Sequence, residues 1–161
     1  LQAGATVTAG AGANWGSITL ADFEAMAGKI KQYPGVSPRW FIHSYGYWNS
    51  MVPLLTALGG TNMPQVQDGP SMTFLGYPVT FTQVLPGDAA GANDMVCVLG
   101  DLDLGAYHGL RRNISTRVLT ELFAQNDQLA IVSTMRNDIA IHSIGDANEA
   151  GCIVKLNLAA V

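Results

Sequence analysis

At 161 residues the chain is long enough for one domain with a real core. Only 12% of its residues are charged, where a free-standing soluble domain carries about 25%, so part of its surface is expected to be buried against something else. The net charge of −4 argues against a nucleic-acid binder, which needs a basic patch to neutralise phosphates.

No run approaches the roughly 20 apolar residues of a membrane helix. No signal peptide is visible at the start, Leu1-Gln2-Ala3-Gly4-Ala5, which shows no basic region followed by an apolar core. The absence of an initiating Met points to a processed product, a fragment or a trimmed chain. Residues 1–16 are mostly Ala, Gly and Thr and read as a flexible arm or linker.

A helix follows. Thr19 is a good N-cap with Asp22 three residues on, and Leu20, Phe23, Ala27 and Ile30 recur at helical spacing until Tyr33-Pro34-Gly35. Arg39-Trp40-Phe41-Ile42-His43 reads as a buried strand. A second helix is expected over 45–58, with Trp48, Met51, Leu55 and Leu58 on one face and Gly59-Gly60 as its stop. Pro53 fits it if the regular part starts near Asn49 or Ser50.

After residue 60 the texture becomes β. Thr61 to Pro70 reads as an extended loop, and Tyr77 to Val84 as a strand carrying Val79 and Phe81. The Gly-rich stretch from Pro86 to Asp94 is long for a loop, so it is mobile or used for contact. Met95–Leu99 reads as a central strand. Ala106–Leu110 reads as a strand, and Ile114–Phe123 as a strand or short helix. Gln128–Ser133 and Asn137–Ser143 read as strands around Met135-Arg136. In the closing strand Gly151–Leu158, Cys152, Val154, Leu156 and Leu158 share a face. The class is α+β without the alternating crossover helices of a doubly wound sheet.

Catalytic chemistry finds little purchase. His43, His108 and His142 lie in separate segments with no metal-ligand spacing. Asp101-Leu102-Asp103 puts two carboxylates on one side of an extended chain, but Gly-Asp after a strand is turn chemistry, the aspartate capping nearby amides. Ser44, Ser50 and Ser133 lack a Gly-x-Ser-x-Gly setting. Cys97 and Cys152 read as buried free thiols rather than a disulfide. Arg111-Arg112, with Arg117 nearby, is the one basic cluster and suits a salt bridge to a neighbouring subunit or a solvated turn. Trp40, Phe41, Tyr45, Tyr47 and Trp48 read as core.

The ordered set of phrases carries a resemblance. Thr19 to Phe23, Arg39 to His43 and Leu54 to Leu58 are followed by Leu75-Gly76-Tyr77-Pro78-Val79. Val98-Leu99-Gly100-Asp101-Leu102 comes next, then Tyr107, and Asp127-Gln128 through Arg136-Asn137-Asp138 closes the set. Together they resemble the C-terminal portion of the major capsid proteins of tailed bacteriophages, the Hong Kong 97-like fold. Leu75, Gly76, Pro78 and Val79 are similar to the family's Leu-x-Gly-x-Pro-Val phrase, and Gly100 and Asp101 to its Phe-Gly-Asp, with Tyr107 where the chain turns back. The family's arm, hairpin loop and spine helix would lie upstream of Leu1.

The resemblance implies an α+β chain in which 17–161 is mostly capsid axial domain with returning peripheral-domain strands. It implies pentamers and hexamers of an icosahedral shell enclosing DNA, in a phage or prophage virion made in the bacterial cytoplasm. Partners would be further copies of the chain, with scaffold, protease and portal proteins; no specific nucleic-acid sequence, membrane, cofactor, metal or catalysis is implied. Loops 60–72 and 86–94 are candidates for intersubunit contact, through Asp68, Asp88 and Asn93, together with Arg111 and Arg112. None of Lys29, Lys31 and Lys155 matches a crosslinking position. The alternatives are an encapsulin-like nanocompartment shell, and a small α+β metal-dependent hydrolase using His43, His108, His142 and Asp101.

Overall fold

In the computed structural model the capping of the first helix is built from the two expected side chains. The Asp22 carboxylate accepts from both the Thr19 backbone N–H and the Thr19 hydroxyl, each at 2.8 Å. The helix α1 (Leu20–Lys29) that follows buries Phe23 and Met26. It stops before the expected Tyr33, because Ile30 turns extended and drops its side chain into the core. The structure describes residues 5–10, 12–57, 72–121, 124–142, 145–146 and 150–160. They fall into two units, one of Leu1–Gly105 with Ser143–Val161 and one of Ala106–His142.

The first unit is built on a mixed sheet of six strands. These are β1 (Ala5–Thr8), β2 (Arg39–Ile42), β3 (Thr73–Phe74), β4 (Tyr77–Phe81), β5 (Met95–Gly100) and β8 (Ile153–Asn157), in the spatial order β1-β8-β5-β2-β4-β3. β1 runs parallel to β8 and β2 parallel to β4, while β5 is antiparallel to both its neighbours. The register places Trp40 opposite Leu99, and Leu99 opposite Val154. Directly opposed residues share a face, so Val7, Leu99, Trp40 and Val154 look the same way. All four are buried, and α1 covers that face. Phe23 meets Trp40 and Phe74 edge to face at ring separations of 5.6 and 5.0 Å, and the Trp40 indole N–H donates to the Phe74 carbonyl at 2.8 Å.

Residues 5–9, expected in a flexible arm, are instead an edge strand and its extension. Ala5, Val7 and Ala9 are buried, and the Ala9 amide continues the pairing to the Asn157 carbonyl at 2.9 Å. Small side chains suit this position, because α1 packs close above it and Lys29 Nζ donates to the Thr6 carbonyl.

The second helical run starts earlier than expected and is not uniform. Short α2 (Ser44–Gly46) passes through a π-turn (Tyr47–Met51) into α3 (Val52–Ala57). Pro53 explains the π-turn. Proline cannot donate to the carbonyl four residues back, and the widened turn has the Val52 N–H bonded to the Tyr47 carbonyl, five back. The wider turn also resets the buried face. Tyr47 and Met51 point inward, whereas Trp48 is 57% exposed. Of the five aromatics expected in the core, Trp40 and Tyr47 are buried, Phe41 is half-buried on the other face of the sheet, and Tyr45 and Trp48 are exposed. Leu58 and the 60–70 loop lie outside the described residues.

The second unit is a two-stranded antiparallel ribbon, β6 (Ala106–Leu119) with β7 (Ala130–Ile141). The expected break at Met135-Arg136 does not exist, because β7 runs straight through it. β6 likewise joins two expected segments, absorbing register shifts between Leu110 and Arg112 and between Arg112 and Ser115.

Two helical glycines make opposite predictions. The Trp15 ring fills the space that a Cβ on Gly46 would take, whereas nothing lies within 4 Å of one built on Gly28. Gly46→Val is expected to cost about 3 kcal/mol. Gly28→Ala is expected to gain about 0.5–1 kcal/mol. Urea denaturation followed by tryptophan fluorescence checks both signs.

Candidate assembly surfaces

The Leu75-Gly76 phrase is a two-residue hairpin turn. Phe74 pairs with Tyr77 across it, and both central residues have positive φ, 47° at Leu75 and 82° at Gly76. A primed turn needs that geometry twice. Gly76 adopts it freely, but Leu75 is a branched side chain in a region that costs about 1–2 kcal/mol, and it stands partly exposed. Pro78 follows within β4 opposite Thr73, and Val79 pairs in register with Trp40 and packs against the core.

Gly100 ends β5 for a different reason. A Cβ there would stand 2.5 Å from the Cys152 carbonyl oxygen and 2.9 Å from the Ile153 Cα, so only glycine lets β8 approach. Asp101 then caps the short helix α4 (Leu102–Gly105). One carboxylate oxygen accepts from the Asp103 and Leu104 amides and the other from Ser37, at 2.9 Å. The Ser37 amide, helped by those of Leu104 and Asp103 and by the charge of Arg39, outweighs a smaller opposing effect of burial. It holds the Asp101 carboxyl below the usual range. The turn role expected for Asp101 is the one its geometry supports. An open cleft of about 640 Å³ lies beside it, floored by Arg39, Phe41 and Thr80.

The 86–94 loop is fastened to its own unit. The Trp15 indole N–H donates to the Gly87 carbonyl at 2.7 Å, and the His43 ring packs on Gly87. Asn93, at φ 64°, bonds through its amide to the Leu158 carbonyl. The Asp88 carboxylate accepts the Tyr45 hydroxyl, which raises that phenol's pKa. Both loop residues proposed for contact therefore also hold the subunit's own shape. Asp68 lies outside the described residues.

Tyr107, Arg111 and Arg112 are exposed on the ribbon. One ribbon face is apolar, with Val118 opposite Ile131, His108 opposite Ile139, and Met135 between them along β7. Thr116 and Ser133 bond across this face at 3.0 Å. Ile131 and Ile139 are each about two-thirds exposed, at 68% and 65%, so the face has no cover within the ribbon. The other face carries Tyr107, stacked on His142 at 4.5 Å, and the pair Arg112 and Arg136.

Each histidine has its own local partner: His43 caps Tyr45 through Nδ1, His108 lies beside Asn137, and His142 stacks on Tyr107. Among the described residues no cluster of three or more His, Cys, Asp or Glu could hold a metal. Cys97 and Cys152 are buried free thiols, and burial pushes the Cys97 thiol far up, away from nucleophilic use.

A family model described as Phage capsid family matches residues 1–143. The chain belongs to the phage capsid family. Among solved structures it is similar to the capsid of a native GTA particle computed with C5 symmetry (TM-score 0.59, 17% identity, covering 96% of this chain and 49% of that one). It is also similar to the capsid of an empty GTA particle (0.55, 13%, 96% and 50%) and to the capsid of the cyanophage P-SCSP1u (0.58, 12%, 99% and 54%). These likenesses establish a shared α+β fold. The chain spans about half the length of those capsid chains. Among curated proteins nothing matches.

Reading the sequence for motifs missed two features of this capsid-family chain. The Trp15–Gly46–Gly87 clasp has no local signal, since its members come from three distant segments. The amphipathic ribbon had one: Ile131, Ser133, Met135, Asn137, Ile139 and Ile141 alternate on a single face, straight through the Met135-Arg136 phrase that separated the two expected strands.

Asp101→Ala is expected to cost about 1 kcal/mol as a lost cap. The folded-state pKa of Asp101 is depressed, so its contribution is full above the unfolded value of about 3.9. It is lost as pH falls through the lower folded value. The stability gap between parent and variant should therefore be constant at neutral pH and close on acidification below about pH 4; a gap that widens there would overturn the assignment. Leu75→Asn is expected to gain about 1 kcal/mol by relieving the turn, read as a raised thermal midpoint.

Proposed function

We propose that this chain is the shell-forming part of the major capsid protein of a tailed phage or a related phage-like particle. It works through contacts with other copies of itself around the symmetry axes of a closed shell that encloses DNA. The single observation that carries the reading is the family match over residues 1–143. The exposed apolar face of the ribbon supports it, because Ile131, Val118, Met135 and Ile139 form a surface of the kind that is covered in an assembly. The low charge fraction points the same way.

The role is structural. Asp101, the most catalytic-looking residue, has both carboxylate oxygens committed to backbone amides. Scaffold, protease and portal proteins are the expected partners during assembly, the bacterial cytoplasm the place of synthesis, and the virion capsid the destination. The turn at Leu75-Gly76, the 86–94 loop and the ribbon are the contact surfaces we assign.

Expressed from its gene with its neighbours, the protein should form closed particles visible by negative-stain electron microscopy, sedimenting far faster than any small oligomer. The 161-residue chain alone, with its ribbon uncovered, should remain a monomer or small oligomer by light scattering. A gene product that stays monomeric under all assembly conditions would overturn the reading.

A further inference from the structure

Charge is unevenly divided along the chain. Residues 106–142 hold four arginines against three carboxylates, a net of +1, while the remainder holds four cations against nine carboxylates, a net of −5. On the ribbon the cations are concentrated further. Arg112 stands directly opposite Arg136, and Arg117 stands opposite Val132 two positions along the same face. Like charges directly opposed on a ladder destabilise it. Among the described residues no carboxylate pairs with these three arginines. Asp138, on the same face opposite Gly109, turns back to accept from the Ile139 amide at 2.9 Å. The arrangement is unfavourable in the free chain and becomes favourable when an anion meets it.

The compact unit narrows down which anion. Asp22, Asp94 and Asp101 accept amides within their own turns, and Asp88 accepts the Tyr45 hydroxyl. Asp103 is exposed at the lip of the open cleft beside Arg39 and Phe41, flanked by the exposed apolar Leu102 and Leu104. A carboxylate between apolar side chains, beside a cleft wide enough for a guanidinium, is a fitting acceptor for arginine's planar fork.

Resting on the shell-forming role above, we propose that the arginine face of the ribbon, Arg112 with Arg136 and Arg117, docks on the Asp103 rim of a second copy of this chain. The contact joins two different patches of the same molecule. Such a head-to-tail contact repeats from copy to copy and forms a ring when its rotation closes. Duplex DNA is the weaker partner, because the face carries Asp138 and the rest of the chain is anionic and repels phosphate.

The test is a charge exchange in the complete gene product. Arg136→Glu places a carboxylate opposite Arg112, which relieves the cross-strand repulsion, so lost assembly in this variant is not lost folding. Arg136→Glu and Asp103→Arg should each raise the protein concentration at half-assembly by about tenfold or more, read by sedimentation velocity. The two together should return it to near the parent value. Circular dichroism confirms folding, and Arg136→Gln, a milder change, should give a smaller shift in the same direction.

A parent that assembles, with both reversals assembling equally well, would overturn this contact and leave the capsid reading standing. A parent that never assembles would overturn both. Reversals that block assembly without mutual rescue, with duplex-DNA retention lost only in the Arg136 variants, would assign the face to nucleic acid instead and overturn the proposal.

Discussion

The first unit depends on one close backbone approach, that of β8 to β5 at Gly100. Among the described residues β8 is the only partner of β1 and one of two partners of β5, so it fixes half of the six-stranded sheet. It reaches that position only after the whole of the ribbon has been threaded out and back. The Asp101 amide reinforces the junction by donating to the Cys152 carbonyl at 3.1 Å. Closing a sheet this way pays loop entropy before any pairing rewards it. A side chain at position 100 would act on exactly the step that closes the sheet, which makes the glycine there a structural requirement rather than a family habit.

The scarcity of charge follows from how charge is used. Asp22, Asp94 and Asp101 each satisfy backbone amides, which are otherwise costly to leave unpaired. These carboxylates are caps rather than surface decoration. Four of the five arginines play no such part. They stand in the ribbon, Arg112 opposed to Arg136, on a ladder that gains nothing from that pair. Carboxylates committed to the subunit's own amides, with an opposed arginine pair on the ribbon, suit a molecule whose remaining interactions are made with other molecules.

Elements set by local signals were legible. The Thr19/Asp22 capping box, the apolar strand at 39–42, and the alternation of Val154 and Leu156 each lie within a few residues, and each appears where expected. The turn reading of Gly76 and Asp101 was legible for the same reason, since φ preference and amide capping are properties of the residue itself. Elements set by distant partners were not. Ala5 to Thr8 looks structureless until β8 arrives beside it. The face of the second helical run depends on a π-turn that Pro53 imposes. The ribbon was cut into pieces because its bulges break the period of two in β6, and because the alternating stretches on either side of Met135-Arg136 were read as separate strands.

The ribbon also explains why fold and function are hard to separate in this chain. A two-stranded sheet is marginally stable in water unless a face is covered. The apolar side of this one is uncovered within the ribbon, and the opposite side holds a repulsive arginine pair. Both defects are removed by the same event, contact with other surfaces, and neither is removed by further folding of the ribbon itself. Its order in the free chain should therefore be weaker than that of the aromatic core around Phe23, Trp40 and Phe74, where the neighbours are already in place. The sheet sets the position of the caps and turns, and a further surface against the ribbon would complete the ribbon's stabilisation. That division is what a shell subunit requires, because a surface fully satisfied in the monomer would have no reason to assemble.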